Sequence, residues 1–215
     1  MQMLDIAGLR SNTSSGFRSA LAEMALGLGL DPSLVAACMA IETGHTYSPS
    51  IRNPFTNATG LIQFMPSTAR ALGTTVDELA RMSATKQLEY VKRFFRPHVG
   101  RIRPDVPGDY YLAVFYPAYI GRDPSTVIFS AGDTGYAQNA GLDRNADGVI
   151  TVGDVTGTVN NVVAEAQNRP PLEVTVGASV IAWTFGTLVA ALVGAALYER
   201  RREVTHFVEK HAPQL

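Results

Sequence analysis

Two stretches of the chain combine residue types and spacing suited to chemistry. They are Ala40-Ile41-Glu42-Thr43 and, about twenty residues later, Gly60-Leu61-Ile62-Gln63-Phe64-Met65-Pro66-Ser67-Thr68-Ala69. In the first, a lone Glu closes an apolar helical run. A carboxyl late in a helix feels the negative end of the macrodipole, and apolar walls strip water from it; both effects favour the protonated form. A Glu that is still protonated near neutral pH is the general acid that glycosidic cleavage requires for its leaving oxygen. Taken alone, a Glu at a helix end more commonly points into solvent, and the second stretch is what shifts the balance.

A second constellation is acidic. Asp143, Asn145 and Asp147 occupy positions 1, 3 and 5 of a twelve-residue frame, with Gly148 at 6, Ile150 at 8 and Asp154 at 12. The frame follows the EF-hand calcium pattern with Asp in place of the final Glu, and resembles the dockerin-type loop, which ends in Asp. Position 7 supplies a backbone carbonyl, so Val149 is compatible with it. The expectation is a structural Ca²⁺ held by Asp143, Asn145, Asp147, Val149 and Asp154, bracing the junction between a catalytic head and an anchor. An Asx-rich turn without metal is the plainer alternative. His45 has no Cys or His near it in sequence and is a poor metal candidate.

The elements that must position these residues are nearly all helical. Ser14 or Ser15 caps a helix over Phe17–Leu28, stopped by Gly27 and Gly29. Asp31-Pro32 opens the next, with Asp as N-cap and Pro at the first helical position. Leu34, Val35, Cys38, Met39 and Ile41 form its buried face, and Thr43-Gly44 ends it. Cys38, the single cysteine, reads as a small buried hydrophobe. Residues 44–59 read as loop, 66–72 as a short helix, and Thr75-x-x-Glu78 as a capping box. A longer amphipathic helix spans 83–96. The apolar and aromatic run Asp109–Tyr119 is ended or kinked by Pro117. Thr126–Phe129 is a short apolar piece followed by turns, and a helix follows the acidic loop to about Ala166.

Glu42-Thr43, Asn57-Ala58-Thr59-Gly60-Leu61-Ile62-Gln63 and Pro66-x-Thr68-Ala69 together resemble the signature of lytic transglycosylases, the soluble family sharing the goose-type lysozyme fold. The family pattern continues into an Ala-Tyr-Asn-Ala-Gly stretch, matched here by Phe115-Tyr116-Pro117-Ala118. The resemblance covers about residues 16–120. It implies a lysozyme-like head in which Glu42 protonates the oxygen bridging N-acetylmuramic acid and N-acetylglucosamine. The same group then takes the proton of the muramic 6-hydroxyl, giving a 1,6-anhydro end. No second enzymic carboxylate is needed, and none occurs between Glu42 and Asp77. The resemblance also implies substrate contacts from Thr43, Gln63, Met65 and Tyr116, the last with its hydroxyl near the Glu. Thr43 stands where Ser is usual, and Pro117 where Asn is usual.

Val174–Tyr198 holds no charged residue over 25 positions, and Glu199-Arg200-Arg201-Arg202 closes it. A helix of that length would measure roughly 37 Å, enough to cross a membrane. Gly186, Ala190 and Gly194 form a small-residue stripe available for self-association or for other partners. The expected organisation is a mainly α protein: a head over 1–135, a calcium-loop segment over 136–168, a linker over 169–173, a transmembrane helix over 174–198 and a basic tail over 199–215. A net charge of −1 gives no case for a nucleic-acid partner. The basic cluster places the tail inside and the head outside. Residues 1–13 lack the features of a secretory signal. The two facts are reconciled if the enzyme reaches the wall from outside, carried in a phage virion membrane or ejected into the host envelope. Two other readings stay open: a non-catalytic glycan-binding or structural virion component, and a lysozyme-type hydrolase.

Overall fold

The computed structural model describes residues 1–177. Among them it is mainly helical, and Met1–Val176 make one compact unit. The helices are α1 (Leu9–Asn12), α2 (Ser15–Leu26), α3 (Pro32–Thr43), α4 (Pro66–Ala71), α5 (Val76–Arg81), α6 (Ala84–Phe95), α7 (Pro107–Phe115), α8 (Thr134–Asn139) and α9 (Val152–Gln167). Two small antiparallel sheets join them: β1 (Gln2–Met3) with β4 (Leu172–Glu173), and β2 (Val127–Ser130) with β3 (Val149–Thr151). The helix starts follow local chemistry. Ser14, Asp31 and Ser83 each accept a backbone N–H in the first turn, and the Thr75/Glu78 capping box is complete.

α3 sits at the centre of the core. Residues 35–40 on it are fully buried, and α2, α7 and α9 pack around it. That α9 belongs to this core changes the expected organisation. Val152, Val155, Val159 and Ala166 lie in the same apolar cluster as the α3 residues. Residues 136–168 are therefore not a separate segment, and 1–135 is not closed without them. α9 lies tight on α7, because a Cβ at Gly108 would meet Thr156 Oγ1 at 2.1 Å.

The expected linker is also structured. Leu172 pairs with Met3, Gln2 Nε2 donates to Glu173 Oε1 at 2.8 Å, and Arg10 donates to the Pro170 carbonyl at 3.0 Å. Val174 N–H donates to the Met1 carbonyl, and Val174 is 5% exposed. The first residues of the apolar stretch 174–198 thus belong to the head. The rest of the expected transmembrane helix, with Gly186, Ala190, Gly194 and the tail, lies outside the described residues. Among the described residues no helix is long and apolar enough to cross a membrane.

A buried ion pair fixes the start of α7. Asp109 is almost fully buried and accepts from Arg103 Nε at 2.7 Å, Arg103 Nη2 at 2.9 Å and the N–H groups of Arg103 and Gly121. Burial works against the ionised carboxyl, but these donors outweigh it and hold its pKa below the usual range. A depressed carboxyl contributes stability above its unfolded pKa and loses it as pH falls through the folded one. Arg103→Ala is expected to cost about 2 kcal/mol at pH 7, through lost charge-assisted bonds. The deficit should shrink as pH falls through the depressed folded-state pKa of Asp109; urea unfolding across a descending acid series from pH 7 measures it.

Candidate active site

Glu42 stands in the last turn of α3. The helix ends because Gly44 takes the left-handed conformation, with φ 56°, letting His45 N–H reach back to the Ala40 carbonyl at 2.8 Å. The end of α1 secures this helix terminus: Asn12 Nδ2 donates to the His45 carbonyl at 2.9 Å. Thr43 is 1% exposed, its hydroxyl donating to the Met39 carbonyl and accepting from Tyr47 N–H. Its role here is to hold the helix end, and its hydroxyl faces the interior.

The Glu42 carboxyl is partly buried, and loss of water raises its pKa to about 7. One hydrogen bond works the other way: the Tyr111 hydroxyl, brought in on α7, donates to the carboxyl. Tyr111 is itself 6% exposed, and burial followed by the nearby Glu42 charge pushes its own pKa well up, so it remains a donor. Cys38, one turn back along α3, is raised by burial and then by Glu42. It is an inert neutral thiol beside the carboxyl. The arrangement is a carboxylic acid poised between its two protonation states near pH 7, oriented by one phenol.

The sequence did not single out Tyr111. It lies inside the run Asp109–Tyr119, where an aromatic on a helix is most simply core, and only the packing of α7 on α3 reveals its contact. Tyr116, at the end of α7, is 40% exposed; its ring stacks on Phe129 at 5.8 Å and meets Tyr119 at 5.0 Å. Pro117 opens a 3₁₀ turn over Pro117–Tyr119. Tyr111→Phe removes the one donor that lowers the Glu42 pKa. Glu42 is therefore expected to titrate higher than in the parent, read as an upward shift of the carboxyl in side-chain carbon NMR.

The turn after Gly60 is a built structure. Gly60 has φ 85°, and a Cβ there would meet Gln87 Oε1 at 2.4 Å. Gln87, wholly buried on α6, accepts from Leu61 N–H at 3.0 Å and donates to the carbonyls of Pro49 and Leu79 at 2.6 and 2.7 Å. Gln63 sits at φ 48°, and its side-chain amide donates to the Gly60 and Ile51 carbonyls at 3.1 and 3.3 Å. Met65, 44% exposed, is the N-cap of α4. Gln63 thus closes the turn, and Met65 stands at its open side.

In the acidic loop Asp143 accepts the N–H groups of Asp147 and Gly148 and the Tyr136 hydroxyl, the last at 2.8 Å. Asn145 Nδ2 donates to Asp147 Oδ2 at 2.7 Å. Gly148 has φ 86°, which suits the sharp turn at position 6, and Ile150 at position 8 is buried in β3. Val149 N–H is taken by Asp147 Oδ1. Asp154 is the third residue of α9, where its carboxylate accepts from the N–H and hydroxyl of the N-cap Thr151. Among the described residues no three His, Cys, Asp or Glu side chains form a group that could hold a metal ion. The frame and its glycine suit a cation, while Asp154 is turned to its helix.

No family model, curated protein or solved structure matches the chain.

Proposed function

We propose that the chain is a peptidoglycan lytic transglycosylase with a lysozyme-like head. The observation that carries the reading is Glu42: a partly buried carboxyl with a pKa of about 7, oriented by Tyr111. Such a group serves as both acid and base within one turnover near neutral pH. Protonated Glu42 gives its proton to the bridging oxygen as the bond from muramic C1 to that oxygen breaks. The N-acetylglucosamine leaves with a free 4-hydroxyl. The carboxylate then takes the proton of the muramic 6-hydroxyl, whose oxygen bonds to C1. No water is consumed and Glu42 ends protonated, as it began. Met65 and Tyr116, both exposed, are the side chains assigned to the sugar groove.

The same reading places the head outside a lipid membrane, anchored by the apolar stretch. With Val174 bound into the head, the ~20 residues that follow still suffice for a span. Carriage by a phage virion, for local wall opening during genome entry, accounts for an enzyme acting from outside. The acidic loop would hold Ca²⁺ through Asp143, Asn145, Asp147, the Val149 carbonyl and Asp154, the last turning to the ion from the Thr151 capping box it closes here. Calcium is expected to bind in calorimetry and to raise the unfolding temperature of the parent, with no rise for Asp143→Ala; no heat of binding would remove the assignment.

The catalytic reading is tested by release of dye from labelled sacculi by the full-length chain in detergent micelles. Release by the parent and none by Glu42→Gln is the expected outcome. A parent that folds and releases nothing would refute the reading.

A further inference from the structure

Charge on the head is unevenly distributed, although the whole chain carries only −1. Residues 86–103 include six Lys or Arg and one Glu, whereas residues 123–154 include five Asp and one Arg. Two of the six cations are neutralised, Lys86 by Glu89 at 2.9 Å and Arg103 by Asp109 at 2.7 Å. The other four, Lys92, Arg93, Arg96 and Arg101, make no ion pair among the described residues, and neither does Arg122. All but the half-buried Lys92 are exposed.

The fold gathers these five into one surface. Lys92 and Arg96 stand one turn apart at the end of α6. Arg93 lies over the Tyr90 ring at 5.1 Å. The chain then turns tightly, with His98 N–H bonded to the Phe95 carbonyl and Arg101 N–H to the His98 carbonyl. Arg101 is thereby close enough to His98 that, after burial, its charge is the second cause lowering the His98 pKa. From there Arg101 Nη2 reaches the Ile120 carbonyl at 3.5 Å, beside Arg122, whose N–H closes a turn onto the Tyr119 carbonyl at 3.1 Å.

Helix electrostatics explains part of this. Lys92 and Arg93 complement the negative end of α6. Arg101 and Arg122 lie beyond that helix, in two different segments, and the dipole gives no reason for them. Like charges that make no ion pair among the described residues repel one another, and an anionic partner relieves that repulsion.

We propose that this surface docks the carboxylate-bearing stem peptides of peptidoglycan. The proposal rests on the catalytic reading for its partner. The sugar backbone of the polymer is neutral, and its charge resides in peptides at regular intervals, whose carboxylates match a guanidinium fork. The surface runs into the turn that holds exposed Tyr116 and half-buried Tyr119, directly after α7, the helix that carries Tyr111 to Glu42.

The test uses the full-length chain carrying Glu42→Gln, so that binding is scored without cleavage. Its co-sedimentation with intact sacculi is compared with sacculi whose stem-peptide carboxylates have been coupled to a neutral amine by carbodiimide, which removes the charge and keeps the cross-links. The same is done for the protein that also carries Arg96→Ala, Arg101→Ala and Arg122→Ala. Affinity for intact sacculi should fall about tenfold in the triple variant, as loss of three exposed charge contacts implies. Neutralising the carboxylates should weaken the parent by a similar factor, and raised salt should erase the difference. The thermal midpoint should change little, since all three side chains are exposed and the one hydrogen bond lost is the long one from Arg101 to the Ile120 carbonyl. Equal binding by parent and triple variant, or to intact and carboxylate-neutralised sacculi, overturns the proposal. So does tighter binding to anionic vesicles or duplex DNA than to sacculi. Cleavage by the protein with Glu42 restored is scored separately, so a head that binds through this surface but never cleaves fails the catalytic reading alone.

Discussion

Glu42→Gln is expected to make the protein inactive and, above pH 7, more stable. Loss of the acid should reduce glycan cleavage by about 10²–10⁴-fold, the usual contribution of a positioned proton donor. The stability effect follows from the raised pKa. Between the ordinary carboxyl value of 4.5 and about 7, the folded protein holds a proton on Glu42 that the unfolded chain has released. Folding stability therefore falls as pH rises through that window, and the full deficit is present above about 7. Gln carries no charge at any pH and avoids the deficit. The variant should match the parent below pH 4.5 and exceed it by about 2–3 kcal/mol at pH 8. Urea midpoints across that pH range measure the difference. A variant less stable than the parent at pH 8 would show that Glu42 is not a strained, desolvated group. Stability given up at a site in this way is the mark of a residue kept for chemistry rather than packing.

Gln87→Leu is expected to be among the most damaging single substitutions in the head. The change preserves volume and removes three hydrogen bonds at once, leaving the Leu61 N–H and the Pro49 carbonyl without their partner and the Leu79 carbonyl with only the Met82 N–H. Each such loss costs about 1–3 kcal/mol when the group stays dry. The three share one side chain and are not additive, so the expected total is about 3–5 kcal/mol. The damage should be local first. Leu61 N–H should exchange with solvent far faster, because the turn over residues 60–63 is tied to α6 through Gln87. Gly60→Ala should disturb the same turn from the other side, by pressing a Cβ onto the Gln87 amide from a left-handed backbone.

What could be read from the sequence was what is local. The Asp31-Pro32 start, the Gly44 stop, the Thr75/Glu78 box and the Ser83 start depend on residues within a turn of one another, and the structure shows each. The position of Glu42 in the last turn of α3 followed from two of them. Its partner did not, because Tyr111 meets it only when α7 packs on α3. The pairing of β1 with β4 joins residues 171 apart along the chain through two-residue strands, and nothing local announces it. The place of α9 was hidden for a related reason. Val152, Val155 and Val159 show an apolar face, but a face does not name what it covers, and an acidic loop before it suggested a module of its own. Gln87 carried no motif; only a turn folded against α6 makes its three bonds visible.

The most direct measurement is mass spectrometry of the fragments that the full-length chain, in detergent micelles, releases from purified peptidoglycan, with Glu42→Gln beside it. Muropeptides ending in 1,6-anhydro-muramic acid, one water lighter than reducing ends and missing from the variant, are the expected result. Reducing ends that depend on Glu42 would contradict it and identify a hydrolase using water in place of the 6-hydroxyl.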